Sequence, residues 1–321
     1  MISVFVSCIL FLVTSQPFLA ARGAATAGRI TLFPKLHAGQ TFTYLLESRT
    51  KKNIKIESRV FTPSGPDDAQ IDTQWLLHVE ILEVRPQGDR AAIQARSRFQ
   101  SVNTASEPTR SDKDSDGSDA KSVEFTLLPD GRVEGLTGMD DLFLEQRQAW
   151  QDWLRQFAIA AVFPREGVKP GQTWKSTEPE QAPSAIIKLE WDKRATYVRD
   201  QPCTPIQMAD TSAAPNDSPP ETCAVILTRA VLKQKSRVGD TTPKDFSMHA
   251  LSTSGTATGT NETISYISLK TGLVMRVTED AQQFMDVIIA KTDGSNQVHY
   301  NINAASHTEV FLIAPSSQSN P

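Results

Sequence analysis

The most chemically suggestive run in the chain is an acidic stretch in its first half. Asp112, Asp114 and Asp116 alternate with other residues, and Gly117 stands at the sixth position. Oxygen ligands at alternate positions, followed by this glycine, are typical of the first half of an EF-hand calcium loop. Such a loop closes with a bidentate glutamate at position twelve, but Val123 occupies that position here. We therefore predict no tight metal site and interpret the run as a solvated acidic loop.

Serine and lysine occur at one spacing that could support nucleophilic catalysis. Ser48–Lys51, Ser101–Asn103 and Lys270–Gly272 follow the order of the short motifs found in penicillin-binding proteins and serine β-lactamases. In that chemistry the serine opens a buried helix and a lysine activates it. The run Glu47–Asn53 is polar and predicts a turn between strands, so this pattern does not support an active site.

Other catalytic and cofactor motifs are missing from the sequence. The five histidines are scattered, without the close pairing of a zinc motif. The chain has no Gly-x-Ser-x-Gly elbow, no phosphate loop and no dinucleotide-binding glycine pattern. We predict a non-enzymatic protein without a cofactor or a metal; an enzyme with a dispersed, motif-free site is the less favoured alternative.

Charge and composition narrow the class of protein further. The 321 residues include 33 Lys and Arg against 37 Asp and Glu, so the net charge is −4. This balance lacks the basic excess of a nucleic-acid-binding domain. With 39% apolar residues, the chain can bury a substantial core.

The N-terminal residues predict export. Val4–Val13 is an apolar run of about ten residues, followed by Pro17 and the small residues Ala20 and Ala21. A short apolar core before small residues is typical of a secretory signal peptide, which we assign to residues 1–22. The run lacks a preceding Lys or Arg, which leaves an uncleaved anchor or a wrongly assigned start as alternatives. No second apolar run approaches 18 residues, so we expect no membrane span in the mature chain and a periplasmic or extracellular location.

Two cysteines remain after removal of the signal peptide. Cys203 and Cys223 flank a segment with four prolines, which we interpret as a solvated loop. An even cysteine count in an oxidising compartment favours a disulfide between them. A redox-active pair is the alternative, but such pairs usually lie in a Cys-x-x-Cys turn.

Most of the mature chain alternates apolar and polar residues with period two. This pattern is typical of half-buried antiparallel strands. The clearest runs are Ile54–Val60, Ala91–Arg96, Val123–Leu127 and Ile187–Trp191.

One segment has helical periodicity instead. Its stripe, at spacings of three and four, consists of Phe143, Arg147, Trp150, Leu154, Phe157 and Ala161. These spacings predict an amphipathic helix near 140–162 that packs on a sheet, with Asp140 and Asp141 capping its start. Trp153 widens the apolar stripe. Core packing is the first interpretation of both tryptophans.

The sequence contains a weak internal echo. Phe33-Pro34 is followed by Gly39–Phe42, and Phe163-Pro164 is followed by Gly171–Trp174. A Gly-containing tight turn comes later in each half, in 130–133 and 270–274. We predict two similar β-rich halves, 30–162 and 163–314, and a disordered tail at 315–321. One continuous sheet is the alternative.

The turn and strand-start motifs carry a resemblance. Val168–Trp174 and the turn at Lys270–Val274 resemble a signature of uncharacterised secreted bacterial β-rich proteins, over about residues 30–290. Some such proteins resemble half-barrel carriers that hold lipids in the periplasm. The resemblance implies an exported β-rich fold, and it carries over no functional residue.

These observations predict a mainly antiparallel β protein (α+β) made of two similar β-sandwich or half-barrel halves with one long amphipathic helix packed on a sheet. The favoured function is a structural or protein-interaction role with an unknown protein partner. The alternative is a carrier for an apolar, lipid-like small molecule held between a curved sheet and the helix. Its wall would consist of Phe143, Trp150, Trp153 and Phe157. Asn216 and Asn261 begin glycosylation sequons that matter only in a eukaryotic secretory pathway.

Overall fold

The computed structural model describes residues 28–58, 67–88, 90–101, 121–159, 163–179, 185–186, 188–207, 220–235 and 242–314. The predicted signal peptide, the acidic run around Asp114, the sequon at Asn216 and the predicted disordered tail lie outside these ranges.

The described chain is dominated by antiparallel strands in a single sheet. In chain order, the elements are β1 Thr41–Ser58, β2 Asp67–Gln87, β3 Arg90–Ser101, β4 Ser122–Leu127, β5 Val133–Thr137, a 3-10 turn Met139–Asp141, α1 Leu144–Phe157, β6 Thr173–Pro179, β7 Leu189–Cys203, β8 Glu221–Gln234, α2 Lys244–Met248, β9 Leu251–Ser268, β10 Val274–Lys291 and β11 Val298–Ile313. The eleven strands follow the order β5-β4-β3-β2-β1-β11-β10-β9-β8-β7-β6.

The prediction of two sandwiches or half-barrels is therefore wrong. β1 pairs with β11 over a continuous register from Thr43 opposite Ile313 to Ser58 opposite Val298. This pairing joins the first strand to the last and merges both halves of the chain into one sheet. Period-two alternation indicates which face a residue occupies, but it does not specify the neighbour of a strand.

The predicted helix also differs from the observed one. α1 contains 14 residues instead of extending through 140–162, and 160–162 lie outside the described residues. Asp140 and Asp141 belong to the separate 3-10 turn and do not cap α1. The side chain of Gln146 instead accepts a hydrogen bond from the Phe143 amide at 3.1 Å.

One face of the sheet packs against α1. Buried side chains of β1 to β4 and of β7 to β11 form one core together with α1. We call the sheet face that carries Tyr44, Phe125 and Val310 the inner face, because these residues are buried in that core. A second, smaller core lies farther along the inner face and includes Trp191 and Val287.

The internal echo corresponds to two turns with the same hydrogen bonds. The Gly39 amide donates to Ile81 O at 2.8 Å, and the Gly171 amide donates to Tyr197 O at 2.7 Å. Both glycines have positive φ, 81° and 83°, which favours glycine at each turn. A register shift follows each acceptor residue, in β2 and β7 respectively.

Hydrogen bonds outside the strand pairs also connect the two halves of the sheet. The Lys35 amide donates to Thr271 O at 2.7 Å, so the segment before β1 contacts the β9–β10 turn. Arg90, at the start of β3, donates to Pro129 O at 2.8 Å and to Phe163 O at 3.2 Å. These contacts connect the segment before β6 to the first half of the sheet.

Candidate functional site

Three of the four predicted wall residues meet on the inner face. Trp150 and Trp153 are each 1% exposed, and Phe157 stacks on Trp153 with ring centroids 4.9 Å apart. Phe143 lies apart from them, 64% exposed, with the Lys121 ammonium 4.7 Å from its ring centroid.

The buried aromatic residues are in contact with protein on several sides. Phe125 meets the Trp150 ring edge to face at a centroid distance of 5.4 Å. Trp150 Nε1 donates to Ser97 Oγ at 2.8 Å, so its one polar group is satisfied as well. The Tyr44 ring lies 5.9 Å from that of Trp153. At this level α1 and the sheet fill the inner face.

Between the two cores, the inner face is only half-buried. We call these half-buried inner positions the inner cleft: Ser48, Thr50, Gly259, Asn261, Ala281, Gln283, Ala304, Ser306 and Thr308. All nine residues are uncharged and most are small, and the neighbouring outer positions include Asp280 and His307. An exposed lysine, Lys52, lies opposite Ala304 on the inner face. A half-buried, uncharged surface on the face of the sheet that carries α1 can accommodate the apolar part of a small molecule.

A polar cluster borders the inner cleft where it meets α1. Glu279, the inner residue of β10 next to Ala281, lies at its centre. Gln156 Nε2 donates to Glu279 Oε2 at 2.8 Å, and Asn261 Nδ2 donates to Glu279 Oε1 at 2.8 Å. Thr263 Oγ1 lies 3.3 Å from Glu279 Oε2. Strands β9 and β10 and the last turn of α1 therefore position one carboxyl group.

Two ion pairs complete this cluster. Arg155 of α1 pairs with Asp152, and their side chains are 31% and 26% exposed. Lys193 of β7 pairs with Glu178 of β6, at 27% and 28% exposure. These four side chains are therefore partly accessible to water.

The pKa of Glu279 is raised by burial, and the positive charge of Arg155 opposes this shift without reversing it. The hydrogen bond from Asn261 favours the ionised carboxylate, but it does not outweigh burial. Thr263 Oγ1 is within donor distance of both Asn261 Oδ1, at 2.8 Å, and Glu279 Oε2, at 3.3 Å.

Three acidic side chains interact electrostatically with Arg155. Burial lowers the pKa of its guanidinium, but Asp152, Glu279 and Glu178 outweigh burial and raise that pKa. Arg155 therefore stays charged. Its positive charge is balanced within the cluster, and it is not a free anion-binding group.

One acceptor in the cluster remains unused. Gln156 Oε1 is buried and has no hydrogen-bond partner among the described residues. A buried acceptor without a partner is costly, and a donor brought by a ligand or by water would relieve that cost.

Sequence reasoning missed this cluster, although one signal for it was present. Val277, Glu279 and Ala281 alternate on one face of β10, and Glu279 is the only charged residue of that series. Glu279 is therefore distinguished in the sequence as a charged residue between two apolar residues on the same face of a strand. Asn261 was noted only as a sequon, yet its side chain lies on the inner face and donates to Glu279.

The disulfide is present in the structure. Cys203 at the end of β7 is bonded to Cys223 near the start of β8, with Cα atoms 5.8 Å apart. Cys223 is fully buried. The bond therefore fastens the β7–β8 pair beside the main core.

The described ranges contain neither a metal-binding group of side chains nor a membrane-spanning helix. No group of three His, Cys, Asp or Glu residues there could hold a metal ion. No helix in those ranges is both long enough and apolar enough to cross a membrane.

Comparisons with known proteins add little. No protein-family model matches the chain, and no curated protein matches it. A solved structure of the outer membrane protein OprG from Pseudomonas aeruginosa is 7% identical, with 86% of this chain and 97% of that chain covered, at a TM-score of 0.17. The CymD monoaromatic hydrocarbon channel is 9% identical, with 86% and 89% covered, at a TM-score of 0.15. At these TM-scores neither similarity carries an argument about fold or function.

Proposed function

We propose that this protein binds a small amphipathic molecule in the inner cleft. The observation that carries the proposal is the half-buried, uncharged band between two filled cores, bordered by a cluster of charged side chains. Ligand sites of small molecules are concave and largely apolar, with a few polar groups that fix orientation. The inner cleft has this composition, and the Glu279 cluster supplies the polar groups.

We further propose that the protein works in the periplasm or outside the cell. The Cys203–Cys223 disulfide supports this location, because disulfides persist in oxidising compartments. The apolar N-terminal run supports export independently. A carrier of a sparingly soluble molecule between membranes or cells would need such a location.

A matched pair of substitutions on β11 tests the cleft. Ala304 is half-buried on the inner face, and its neighbour Ala305 is exposed on the outer face. We expect Ala304→Trp to fill the cleft and weaken binding of a naphthalene sulfonate dye at least about tenfold, while Ala305→Trp leaves binding unchanged. Equal binding by both variants and the wild type would contradict the proposal.

A structural or protein-interaction role through the free sheet edges is the second candidate. β5 and β6 each pair with one neighbour only among the described strands, so both have an edge that could accept a strand. Both edges carry features that discourage pairing. β6 ends at Pro179, and β5 is short with Glu134 exposed. The inner cleft is therefore the better-supported site. Complexes with a strand-forming peptide that survive Ala304→Trp would favour the edges.

A further inference from the structure

We propose that the ligand of the inner cleft carries a cationic head group, and that its ammonium binds to Glu279. This inference rests on the proposed function, because it identifies the ligand class of the same site. The apolar part of the ligand would lie along the uncharged inner positions beyond Ala281, towards the second core.

Glu279 differs from the other carboxylates of the cluster in its partners. Asp152 pairs with Arg155, and Glu178 pairs with Lys193. Among the described residues, no ion pair reaches Glu279, whose hydrogen bonds come from the neutral side chains of Gln156 and Asn261. Arg155 and Lys193 act on Glu279 through space, but neither forms an ion pair with it, so a ligand ammonium could take the position of direct contact with this carboxyl.

The charge balance of the cluster opposes an anionic head group. Three carboxylates face two cations, and each of these cations already has a carboxylate partner. An anion near Arg155 would meet Asp152, Glu279 and Glu178, which act together on the guanidinium. A cationic head group is favoured instead, because the fully ionised cluster has a net charge of −1.

The inner positions next to Glu279 add no further charge; on β1 the inner residue Lys52 is charged, but it lies opposite Ala304, farther along the face. β9 contributes Asn261 and Thr263, β11 contributes Thr308 and β8 contributes Thr228 on the same inner face. All four side chains are neutral. The unused acceptor Gln156 Oε1 lies in the residue that already binds Glu279, so a second ammonium proton has an acceptor close to the first.

Binding of the ammonium would be coupled to a proton. When Glu279 is protonated in the free protein, its carboxyl must release that proton to water before it can form the ion pair. The ligand nitrogen keeps its own proton and donates it in a hydrogen bond to the carboxylate. Affinity for the cation would therefore rise with pH until Glu279 is ionised without help from the ligand.

Three ligands of equal chain length test the inference. Decylammonium, decanol and decanoate can be compared by calorimetry at pH 7.5, below their aggregation concentrations. We expect the wild type to bind decylammonium at least about tenfold more tightly than decanol. The reason is that the ammonium forms a charge-assisted hydrogen bond with Glu279, which the hydroxyl of decanol cannot form. Glu279→Gln should remove this preference and leave decanol affinity unchanged. Glu262→Gln, on the outer face of β9, is the matched control and should behave as the wild type.

The outcomes separate this inference from the proposed function. Equal binding of decylammonium and decanol by the wild type would overturn the cationic head group but retain the cleft. Preference for decanoate would overturn it too, and would assign the head group to Arg155. Failure of all three ligands to bind would contradict both proposals. Urea unfolding of Glu279→Gln verifies that a lost preference does not reflect a lost fold.

Discussion

Gln156 and Glu279 are 123 positions apart in the sequence, yet Gln156 Nε2 donates to Glu279 Oε2 at 2.8 Å. This hydrogen bond joins the last turn of α1 to the middle of β10. In the sheet, β10 lies three strands from β2, beyond β1 and β11, so this contact also holds α1 against the second half of the sheet. Burial of Glu279 at this contact disfavours its charge.

Glu279 should make the stability of the protein depend on pH. Burial raises its native pKa above the ordinary 4.5, so the native state retains the proton to higher pH than the unfolded state. Its contribution to stability is then fully present below about 4.5 and is lost as pH rises through the raised native pKa. We expect the free energy of unfolding of wild type relative to Glu279→Gln to decrease over that interval, as measured by urea unfolding between pH 4 and 8. A relative increase with pH would mean that Glu279 is ionised and stabilised by Arg155.

Trp150 should be among the most important residues for stability. It is 1% exposed, contacts Phe125 and donates to Ser97. Trp150→Ala would leave a void and remove the hydrogen bond to Ser97 Oγ, at a cost of about 3–5 kcal/mol in urea unfolding. Phe143→Ala is the control, because that ring is 64% exposed and its loss should cost less than about 1 kcal/mol. Similar costs for the two variants would show that the aromatic core is not tightly packed.

Local features of the fold could be predicted from the sequence, whereas the arrangement of strands could not. Alternation along Val123–Leu127 and the helical spacing of Trp150 and Phe157 correspond to β4 and to the buried side of α1. These patterns depend on neighbours one to four residues away. The pairing of β1 with β11 depends on residues more than 200 positions apart, and no local pattern encodes it.

The candidate site was hidden for a related reason. Arg155, Glu279 and Asn261 come from three elements far apart in sequence, and each has an ordinary local context. The aromatic residues that attracted attention, Trp150 and Trp153, are instead packed in the core. The small residues of the inner cleft, such as Ala281 and Ala304, gave only a weak strand pattern because they bury little apolar area.

The disulfide should contribute moderately to stability. The bond between Cys203 and Cys223 closes a loop of about 20 residues, which would stabilise the fold by at most about 3 kcal/mol in the chain-entropy model. We expect dithiothreitol to lower the urea midpoint of the wild type, and to have no effect on a Cys203→Ala, Cys223→Ala double variant. Alkylation of both thiols in unreduced protein would contradict the bond itself.

His299 should titrate above its ordinary value. The hydrogen bond that the His299 ring donates to Asp286 raises its pKa, slight burial opposes this, and Glu57 adds a smaller favourable effect. The charged imidazole therefore stabilises the fold below about 6.5, and this contribution is lost as pH rises through the raised native pKa. The NMR titration of the His299 ring should give a pKa above 6.5 that decreases in Asp286→Asn. Because the side chain is 35% exposed, the effect on stability should be small. An unchanged pKa in the variant would show that the 2.6 Å contact between His299 and Asp286 does not persist in solution.

Gly272 and Gly171 allow backbone strain to be separated from steric contact. Both have positive φ, 70° and 83°, so an alanine at either position should cost about 1–2 kcal/mol for conformation alone. A Cβ at Gly171 would meet nothing within 4 Å, whereas one at Gly272 would lie 2.2 Å from Phe33 O. Gly272→Ala must therefore displace the segment before β1 from the β9–β10 turn, at an additional cost of about 1–3 kcal/mol. Urea unfolding of the two variants measures the difference directly. If both variants lose the same stability, the segment around Phe33 does not hold the first half of the sheet against the second in the way that the Lys35–Thr271 hydrogen bond implies.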